Sequence, residues 1–236
     1  MKKKAVVLAS GGLDSTTIMA MTQHEGYDIY ALTFDYGQRH KIELKAAQKV
    51  TKFFDAKKHL ILHIELDTIG GSALTKDTPI PQGRKPKEIQ SSGVPITYVP
   101  ARNTIFLAYA LAWAEVLEAT DIFIGVNAID FSNYPDCRPE FIKSFQKTAN
   151  LGTKAGMEGK KITIHAPLMY MTKGEIIKKG ISLGVDYSMT HSCYNPGKDG
   201  LPCGKCDSCL LRKKGFEEAG IKPELFTATN FSAKRL

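Results

Sequence analysis

Short apolar runs alternate with amphipathic stretches along most of the chain. Five apolar runs have the character of buried strands, at residues 5–9, 29–34, 60–64, 121–126 and 161–166. Apolar positions at helical spacing predict helices at residues 14–25, 42–54, 103–119, 139–148 and 172–183. Alternating strands and helices predict an α/β fold with a doubly wound, parallel five-stranded sheet and right-handed crossovers.

Two polar segments interrupt this pattern. Residues 76–97 are rich in Pro, Gly, Ser and Lys, which predicts either a lid over a binding site or a plain surface loop. Residues 151–160 are rich in Gly and Lys and could close over a substrate. The tail has little periodic apolar sequence before a helical stretch at 210–219. We therefore predict an α/β domain over residues 1–186 and a small C-terminal helical appendage over residues 187–236.

Size and composition suit a soluble protein. The chain has 236 residues, 43% of them hydrophobic, which suits one sizeable α/β domain with a small appendage. The first apolar run has only five residues, whereas a secretory signal needs roughly 7–15. No stretch approaches the roughly 18 apolar residues of a membrane span. We expect a cytoplasmic protein with no membrane partner.

The net charge of +8 is open to two interpretations. A lysine-rich, solvated surface would produce it, and so would a field that attracts anions such as ATP and an acidic substrate. The 32 Lys and Arg residues are spread along the chain rather than grouped into a basic tract. We therefore expect no stable nucleic-acid partner.

The loop after the first strand is a candidate phosphate site. Ser10 ends the strand, Gly11 and Gly12 follow, and Asp14 and Ser15 open the first helix. Glycines let the backbone approach a ligand, and the helix start adds unpaired N–H donors. The loop lacks the lysine of a Walker A motif. Asp14 would repel phosphate unless Mg²⁺ or backbone donors neutralise it, or it could cap the helix.

Four of the five cysteines lie close together near the C-terminus. Cys193, Cys203, Cys206 and Cys209 follow the pattern C-x9-C-x2-C-x2-C, which suits one tetrahedral Zn²⁺ ion per chain. Four protein ligands saturate the ion, so this zinc is expected to be structural. An iron–sulfur cluster, free thiols or a disulfide are the alternatives. Cys137 is distant in sequence, and we expect a buried thiol there.

Polar segments follow several predicted strands. D-Y-G-Q-R-H comes after the second strand, and Arg102 and Asn103 open the long helix at 103–119. G-V-N-x-x-D and Y-P-D-C-R-P-E-F come after the fourth strand. In doubly wound folds, ligands bind at the carboxyl ends of the strands. These segments together therefore favour a substrate site, although each alone could be an ordinary loop.

These motifs carry a family resemblance. S-G-G-x-D-S resembles the PP-loop of ATP pyrophosphatases, which have an adenine nucleotide alpha-hydrolase-like fold. With D-Y-G-Q-R-H, V-P-x-R-N, G-V-N-x-x-D, Y-P-D-C-R-P-E-F, A-P-L, T-K-G-E-I and C-G-x-C-D-S-C-x-L-R in order, the chain is similar to the 7-cyano-7-deazaguanine synthases of queuosine biosynthesis. The resemblance runs from about residue 5 to residue 216.

The resemblance implies a reaction and its participants. The family uses ATP as cosubstrate to convert 7-carboxy-7-deazaguanine and ammonia to the 7-cyano product through adenylated carboxylate and amide intermediates. It releases AMP and pyrophosphate. Mg²⁺ is expected to neutralise the departing pyrophosphate, and the four late cysteines are expected to bind zinc. The resemblance also implies a homodimer.

Residue roles follow from the motif positions. The ATP-binding segment is expected to comprise Ala9, Ser10, Gly11, Gly12, Leu13, Asp14, Ser15, Thr16, Thr17, Ile18 and Met19. Asp14, Ser15 and Lys173 are the catalytic candidates, with a plain helix-surface lysine as the alternative for Lys173. The candidates for binding the deazaguanine and its carboxylate are Arg102, Asn127, Asp130, Asp136 and Arg138.

Two other functions fit parts of the sequence. Another PP-loop ligase, acting directly on tRNA, would share the phosphate loop and basic charge. A non-enzymatic zinc module that binds nucleic acid would account for the cysteines but would not need the phosphate loop.

Overall fold

The computed structural model describes residues 2–85, 88–89, 93–129 and 133–222. Its centre is a five-stranded sheet in the order β3-β2-β1-β4-β5, and every pairing is parallel. The strands are β1 (Lys4–Leu8), β2 (Asp28–Asp35), β3 (Lys58–His63), β4 (Asp121–Phe123) and β5 (Thr163–His165). The chain order reverses direction at β1, so a crevice opens between the carboxyl ends of β1 and β4.

Eight α-helices that lie wholly within the described residues surround the sheet. They are α1 (Leu13–His24), α2 (Ile42–Phe53), α3 (Leu66–Ile69), α4 (Arg102–Leu117), α5 (Pro139–Leu151), α6 (Lys154–Met157), α7 (Lys173–Ser182) and α8 (Asp207–Glu218). Short 3₁₀ turns lie at Pro135–Cys137 and Tyr187–Met189. Within this part of the chain, no helix is long and apolar enough to cross a membrane.

Alternating side chains of β1 build a core on each face of the sheet. Val6 and Leu8 pack on one face with α4 and α5, whereas Ala5 and Val7 pack on the other with α1, α2, α7 and α8. Val6 and Val7 are fully buried, and burial of such a side chain contributes about 1.5–3 kcal/mol. The doubly wound α/β prediction is confirmed.

Two predicted strands are shorter than the apolar runs. The run at 121–126 leaves the ladder after Phe123, and a Cβ atom at Gly125 would lie 3.3 Å from the backbone of Asp14 and Ser15. This segment bends because it packs against the phosphate loop. At the start of the run at 161–166, the side chain of Asn150 binds both backbone polar groups of Ile162, which therefore does not join β5.

The C-terminal region packs directly on the α/β core. Its helix α8 lies along α7, and Phe216 of α8 is buried edge-to-face against Tyr187. α8 begins at Asp207, three residues before the predicted start at 210, and Cys206 is its N-cap residue without a side-chain capping bond. The domain boundary at residue 186 stays a prediction.

Candidate active site and cysteine cluster

A cavity of about 280 Å³ opens at the carboxyl ends of β1, β2 and β4. This is close to the lower end of the roughly 300–1,000 Å³ that small-molecule sites occupy. Its charged lining residues are Asp14, Arg39, Glu43, Arg102, Lys173 and Arg212. The cavity therefore lies where the fold predicts a ligand, at the point where the strand order reverses.

The phosphate loop is held in a tight, internally bonded form. Gly11 has φ of +74°, and a Cβ atom there would lie 2.4 Å from the backbone nitrogen of Ala47. Only glycine fits this close approach of the loop to α2. The Ser10 hydroxyl donates to the Ser15 hydroxyl at 3.0 Å, and Ser15 in turn donates to the Gly12 carbonyl at 3.1 Å. Both hydroxyls thus stand at the start of α1, beside its unpaired N–H groups.

The predicted ATP-binding segment divides into two parts. Six of its residues line the cavity: Ala9, Ser10, Gly12, Leu13, Asp14 and Ser15. Thr16 and Thr17 instead direct their hydroxyls at backbone carbonyls of the preceding turn, and Thr17 also bonds the Tyr187 hydroxyl at 2.6 Å. Ile18 and Met19 are fully buried in the core. These four later residues fix the helix on which the loop depends.

Asp14 and Lys173 form an ion pair across the cavity. Lys173 Nζ lies 2.8 Å and 2.9 Å from the two carboxylate oxygens of Asp14. The lysine side chain is 8% exposed and the aspartate side chain 29% exposed. Thr172 and Glu175 form a capping box, which fixes Lys173 as the first residue of α7. The lysine therefore compensates the aspartate charge beside the loop.

Arg212 adds a second cation from the C-terminal region. Its guanidinium donates to the Thr190 hydroxyl at 2.8 Å, the Ser192 hydroxyl at 3.3 Å and the Tyr187 carbonyl at 2.9 Å. Burial lowers its pKa to about 10, so the group remains charged at neutral pH. Sequence reasoning assigned Arg212 no role, although the residue closes the quoted motif C-G-x-C-D-S-C-x-L-R.

An aromatic end of the cavity lies on the side of β2, α2 and α4. The Phe34 and Phe106 rings stack with centroids 4.0 Å apart. The guanidinium of Arg102 lies 5.9 Å from the ring centroids of both Tyr36 and Phe106. Burial raises the pKa of Glu43 to about 7, against the opposing effect of Arg102. This end therefore offers flat ring surfaces with the Glu43 carboxyl and the Arg102 guanidinium beside them.

The structure places the five predicted substrate residues unequally. Arg102 and Asn127 line the cavity, whereas Asp136 and Arg138 do not. The Asn127 amide nitrogen donates to the carbonyls of Leu168 and Met171, and its oxygen accepts from the Ile129 N–H at 3.0 Å. Asn127 therefore fastens the loop after β4.

The remaining substrate candidates have other visible partners or lie outside the description. Asp136 is buried and accepts from the backbone N–H of Asn103 at 2.9 Å, which satisfies the start of α4. Arg138 is exposed and donates to the Pro135 carbonyl at 3.2 Å. Asp130 lies outside the described residues. Substrate contacts by these three residues stay predictions.

Two further polar groups in the cavity had no individual role assigned from the sequence, although His40 ends the quoted segment D-Y-G-Q-R-H. Glu43 and His40 both line the cavity, and His40 Nε2 is buried without a hydrogen-bond partner among the described residues. Burial lowers the pKa of His40, which favours the neutral ring. Their spacing in H-x-x-E, directly after the D-Y-G-Q-R segment, was the available signal.

The four late cysteines converge as predicted. The Sγ atoms of Cys193, Cys203, Cys206 and Cys209 all lie within 4.8 Å of one another. Tetrahedral zinc with Zn–S bonds of about 2.3 Å requires sulfur atoms about 3.8 Å apart, and Cys193 and Cys206 are 4.0 Å apart. Cys137 is buried apart from this group, as expected. The described residues thus contain a four-sulfur candidate metal site.

Backbone N–H groups surround the cluster sulfurs. Cys193 Sγ accepts from the backbone nitrogens of Asn195 at 3.3 Å and of Cys203 at 3.2 Å. Cys203 Sγ accepts from those of Lys205 and Cys206 at 3.4 Å and 3.3 Å. Such donors stabilise negatively charged thiolates, the form in which cysteine binds a metal. The donor set fits a soft divalent ion such as zinc.

The long loop after α3 is attached to this cluster. Gln82 pairs with Cys206 in an isolated bridge, and the Gly83 N–H donates to the Lys205 carbonyl at 2.9 Å. The Arg84 guanidinium forms an ion pair with Asp207, including a bond from Nε at 3.1 Å. The described part of the 76–97 segment is therefore anchored on the cysteine cluster.

The parallel sheet and the S-G-G-x-D-S loop at the end of β1 define a protein with a PP-loop type of fold. An NMN synthetase from Francisella tularensis shares this fold with a TM-score of 0.50 and 14% identity. The match covers 100% of this chain and 87% of that chain.

A family model described as "Queuosine biosynthesis protein QueC" matches residues 4–220, and the chain belongs to that family. A relative from Desulfatibacillum aliphaticivorans, named 7-cyano-7-deazaguanine synthase, is 62% identical over 93% of this chain and 94% of its own length. A relative of the same name from Geotalea daltonii is 61% identical over 94% of this chain and 95% of its own length. The family expected from the motifs is confirmed.

Proposed function

We propose that this enzyme converts 7-carboxy-7-deazaguanine and ammonia to 7-cyano-7-deazaguanine at the expense of ATP. The observation that carries the proposal is one cavity that joins a phosphate loop to an aromatic end beside Arg102. The first end suits the phosphates of ATP, and the second suits a flat base that carries a carboxylate. The names of the 62% and 61% identical relatives support the same reaction.

The first half of the reaction makes an amide. An oxygen of the substrate carboxylate attacks the α-phosphorus of ATP, and pyrophosphate departs, so that the carboxyl carbon becomes an electrophile. Ammonia attacks that carbon, loses a proton and displaces AMP. Ser10 and Ser15 line the cavity at the start of α1, where their hydroxyls and the N–H groups of the helix would bind the phosphates once ATP displaces the bonds within the loop. Lys173 would balance the developing charge.

The second half of the reaction makes the nitrile. The amide oxygen attacks a second ATP and releases pyrophosphate. The adenylated imidate then loses its two N–H protons and AMP to leave the carbon–nitrogen triple bond. Because both activations are attacks on an α-phosphorus, one phosphate site serves both. Arg102, which lines the cavity, would orient the carboxylate.

Two metals complete the proposal. The four cysteines would hold one Zn²⁺ ion, which would fix the C-terminal region and take no part in the chemistry. Asp14 is the carboxylate nearest the phosphate site, and Mg²⁺ bound with ATP would neutralise the departing pyrophosphate. Thiolates for zinc also favour a reducing compartment, consistent with the cytoplasm.

A second copy of the chain is proposed as a partner. The outer face of α4 is apolar, with Tyr109 43% exposed and Val116 80% exposed. A helix that is apolar on all sides is usually covered. Light scattering of the purified protein should give twice the chain mass, and V116E should give one chain mass. A monomeric native protein would exclude the dimer.

Mass spectrometry of base and nucleotide tests the reaction. The purified protein is incubated with ATP, Mg²⁺, ammonia and 7-carboxy-7-deazaguanine, and samples without ammonia are the control. The nitrile together with AMP is the expected result. An amide with AMP would support only the first half. An unchanged base from folded, zinc-loaded protein would reject the substrate, and the tRNA alternative would be tested next.

A further inference from the structure

Glu43 carries a carboxylate with no hydrogen bond or ion pair to any residue that the structure describes. It lies in the first turn of α2 and lines the cavity. The other carboxylate in the cavity lining, Asp14, is already paired with Lys173. An acceptor left open inside a substrate cavity is available for donors on a ligand.

The surroundings of Glu43 suit a flat ligand rather than a phosphate. Arg102 and Tyr36 are the groups that interact with it electrostatically, and their side chains lie at the aromatic end with Phe106. Rings and a guanidinium offer faces on which a heterocycle can stack. The cations Lys173 and Arg212 interact with Asp14 on the phosphate side.

The cavity must receive two ring systems, the guanine-type ring of the substrate and the adenine ring of ATP. Their hydrogen-bonding edges decide which of them would bind beside Glu43. A guanine-type ring presents N1–H and a 2-amino group side by side, so two adjacent donors face one carboxylate. An adenine ring presents an unprotonated N1 acceptor at that edge, which a carboxylate repels. A carboxylate that accepts two hydrogen bonds therefore selects guanine-type rings over adenine.

We infer that Glu43 is the specificity-determining residue of the base subsite, where its carboxylate accepts hydrogen bonds from N1–H and the 2-amino group of 7-carboxy-7-deazaguanine. The inference rests on the proposed function for the identity of the base. The acidic residues among the substrate candidates from the sequence motifs were Asp130, which lies outside the described residues, and Asp136. Asp136 is instead bonded to the start of α4, and Glu43 occupies the cavity.

A substrate analogue gives the sharpest test. Binding of 7-carboxy-7-deazaguanine and of the same compound without its 2-amino group is measured by calorimetry, without ammonia, for the native protein and for E43Q. A hydrogen bond to a charged group contributes about 1.5–3 kcal/mol, which corresponds to about 10- to 100-fold in affinity. The native protein should therefore bind the analogue about 10- to 100-fold more weakly, and E43Q should bind both compounds about equally.

Two further variants serve as controls for the effect of E43Q. E43D keeps the charge on a shorter side chain and should retain part of the discrimination. E65Q removes a carboxyl from an exposed residue outside the cavity lining and should behave as the native protein. Thermal melts of all variants identify any that fail to fold, and E43D then replaces E43Q in the comparison.

Several results would overturn the inference. E43Q could discriminate between the two compounds as strongly as the native protein. Its KM for ATP could rise while the affinity for the base stays unchanged, which would place Glu43 beside the nucleotide. Its kcat could fall at unchanged KM for both, which would make it a proton acceptor.

If native protein binds the base with these preferences but forms no nitrile, the proposed reaction fails and the subsite stands.

Discussion

At the scale of single residues, five of the six charged residues that line the cavity form two groups, and the sixth, Arg39, is paired with Asp77. Asp14, Lys173 and Arg212 lie beside the phosphate loop, and Glu43 and Arg102 lie beside the aromatic rings. The first group has one acid and two cations and the second has one acid and one cation, so neither end carries a net negative charge that would repel an anionic ligand. Substitution of single charged residues can show which of them contribute to binding ATP and which to binding the base.

Lys173→Met should lower kcat by about 10²- to 10³-fold, the usual effect of removing one stabilising group aimed at a transition state. The lysine is buried and directed at Asp14, and methionine keeps its approximate length without the charge. Release of AMP measured against ATP concentration checks this prediction. Lys178→Met, on the exposed side of the same helix, is the matched control. Native kcat in Lys173→Met would assign Lys173 a structural role only.

Affinity for the base should fall as the pH is lowered through about 7. Burial raises the pKa of Glu43 to about 7, and the protonated acid can no longer accept two hydrogen bonds. The base should therefore bind about tenfold more weakly at pH 6 than at pH 8, with the loss on the acid side.

Neighbouring groups should not reproduce this profile. Arg102 stays charged and Tyr36 stays neutral, because both pKa values are raised. His40 is beside Arg39, and burial moves its pKa below the ordinary value of 6.5. Calorimetry from pH 6 to pH 8 measures the profile, and E43Q should give a flat one. A sloping profile in E43Q would assign the titration to another group.

At the scale of elements, hydrophobic periodicity predicted most of the framework. The helix predicted at 42–54 agrees with α2, Ile42–Phe53, because its apolar stripe packs on β2. The short helices α3 and α6 were not predicted, because a helix of four residues is too short to show a hydrophobic period. The contact between Lys173 and Asp14 spans 159 residues. Sequence spacing cannot show such a contact, and a surface lysine was an equal alternative.

Gly215 of α8 is expected to be essential for the position of Lys173. A Cβ atom at Gly215 would lie 2.4 Å from Cγ of Lys173 and 3.0 Å from Cδ1 of Ile177. Alanine within a helix is ordinarily about 0.5–1 kcal/mol more favourable than glycine. Here the overlap should reverse the sign, so that Gly215→Ala lowers the free energy of unfolding by about 1–3 kcal/mol and also reduces kcat.

Urea unfolding and steady-state kinetics measure both effects. Gly93→Ala is the control, because a Cβ atom there meets nothing within 4 Å and its φ is not positive. It should change stability by less than about 0.5 kcal/mol. If Gly215→Ala were more stable than the native protein and fully active, α8 would not constrain the lysine.

At the scale of the whole molecule, the cysteine cluster connects parts of the site that are far apart in sequence. α8 begins at the cluster, carries Arg212 into the cavity and packs on the helix of Lys173. The loop through Arg84 is attached to Asp207 beside the cluster. The cysteine spacing predicted the metal site, but it could not predict that the tail would supply part of the cavity lining.

Loss of the metal should therefore disturb more than the tail. Cys206→Ser removes one of four ligands at a fully buried position, and a structural metal contributes directly to folding free energy. We expect bound zinc to fall well below one ion per chain, the melting temperature to drop and kcat to decrease. Cleavage by trypsin after Arg84 should also become faster, because the attachment of residues 82–84 depends on the folded cysteine cluster.

Cys137→Ser separates a lost ligand from a lost thiol. Cys137 is buried outside the cluster, so this variant should keep its full metal content and its resistance to trypsin. Metal analysis measures the bound zinc, thermal melts measure the melting temperature, and timed digestion measures the sensitivity to trypsin. None of the three depends on enzyme turnover. If Cys206→Ser lost its metal but kept native kcat and an intact 76–97 segment, the tail would fold independently of the active site. The contact that α8 makes between the cysteine cluster and the cavity would then have no effect on catalysis.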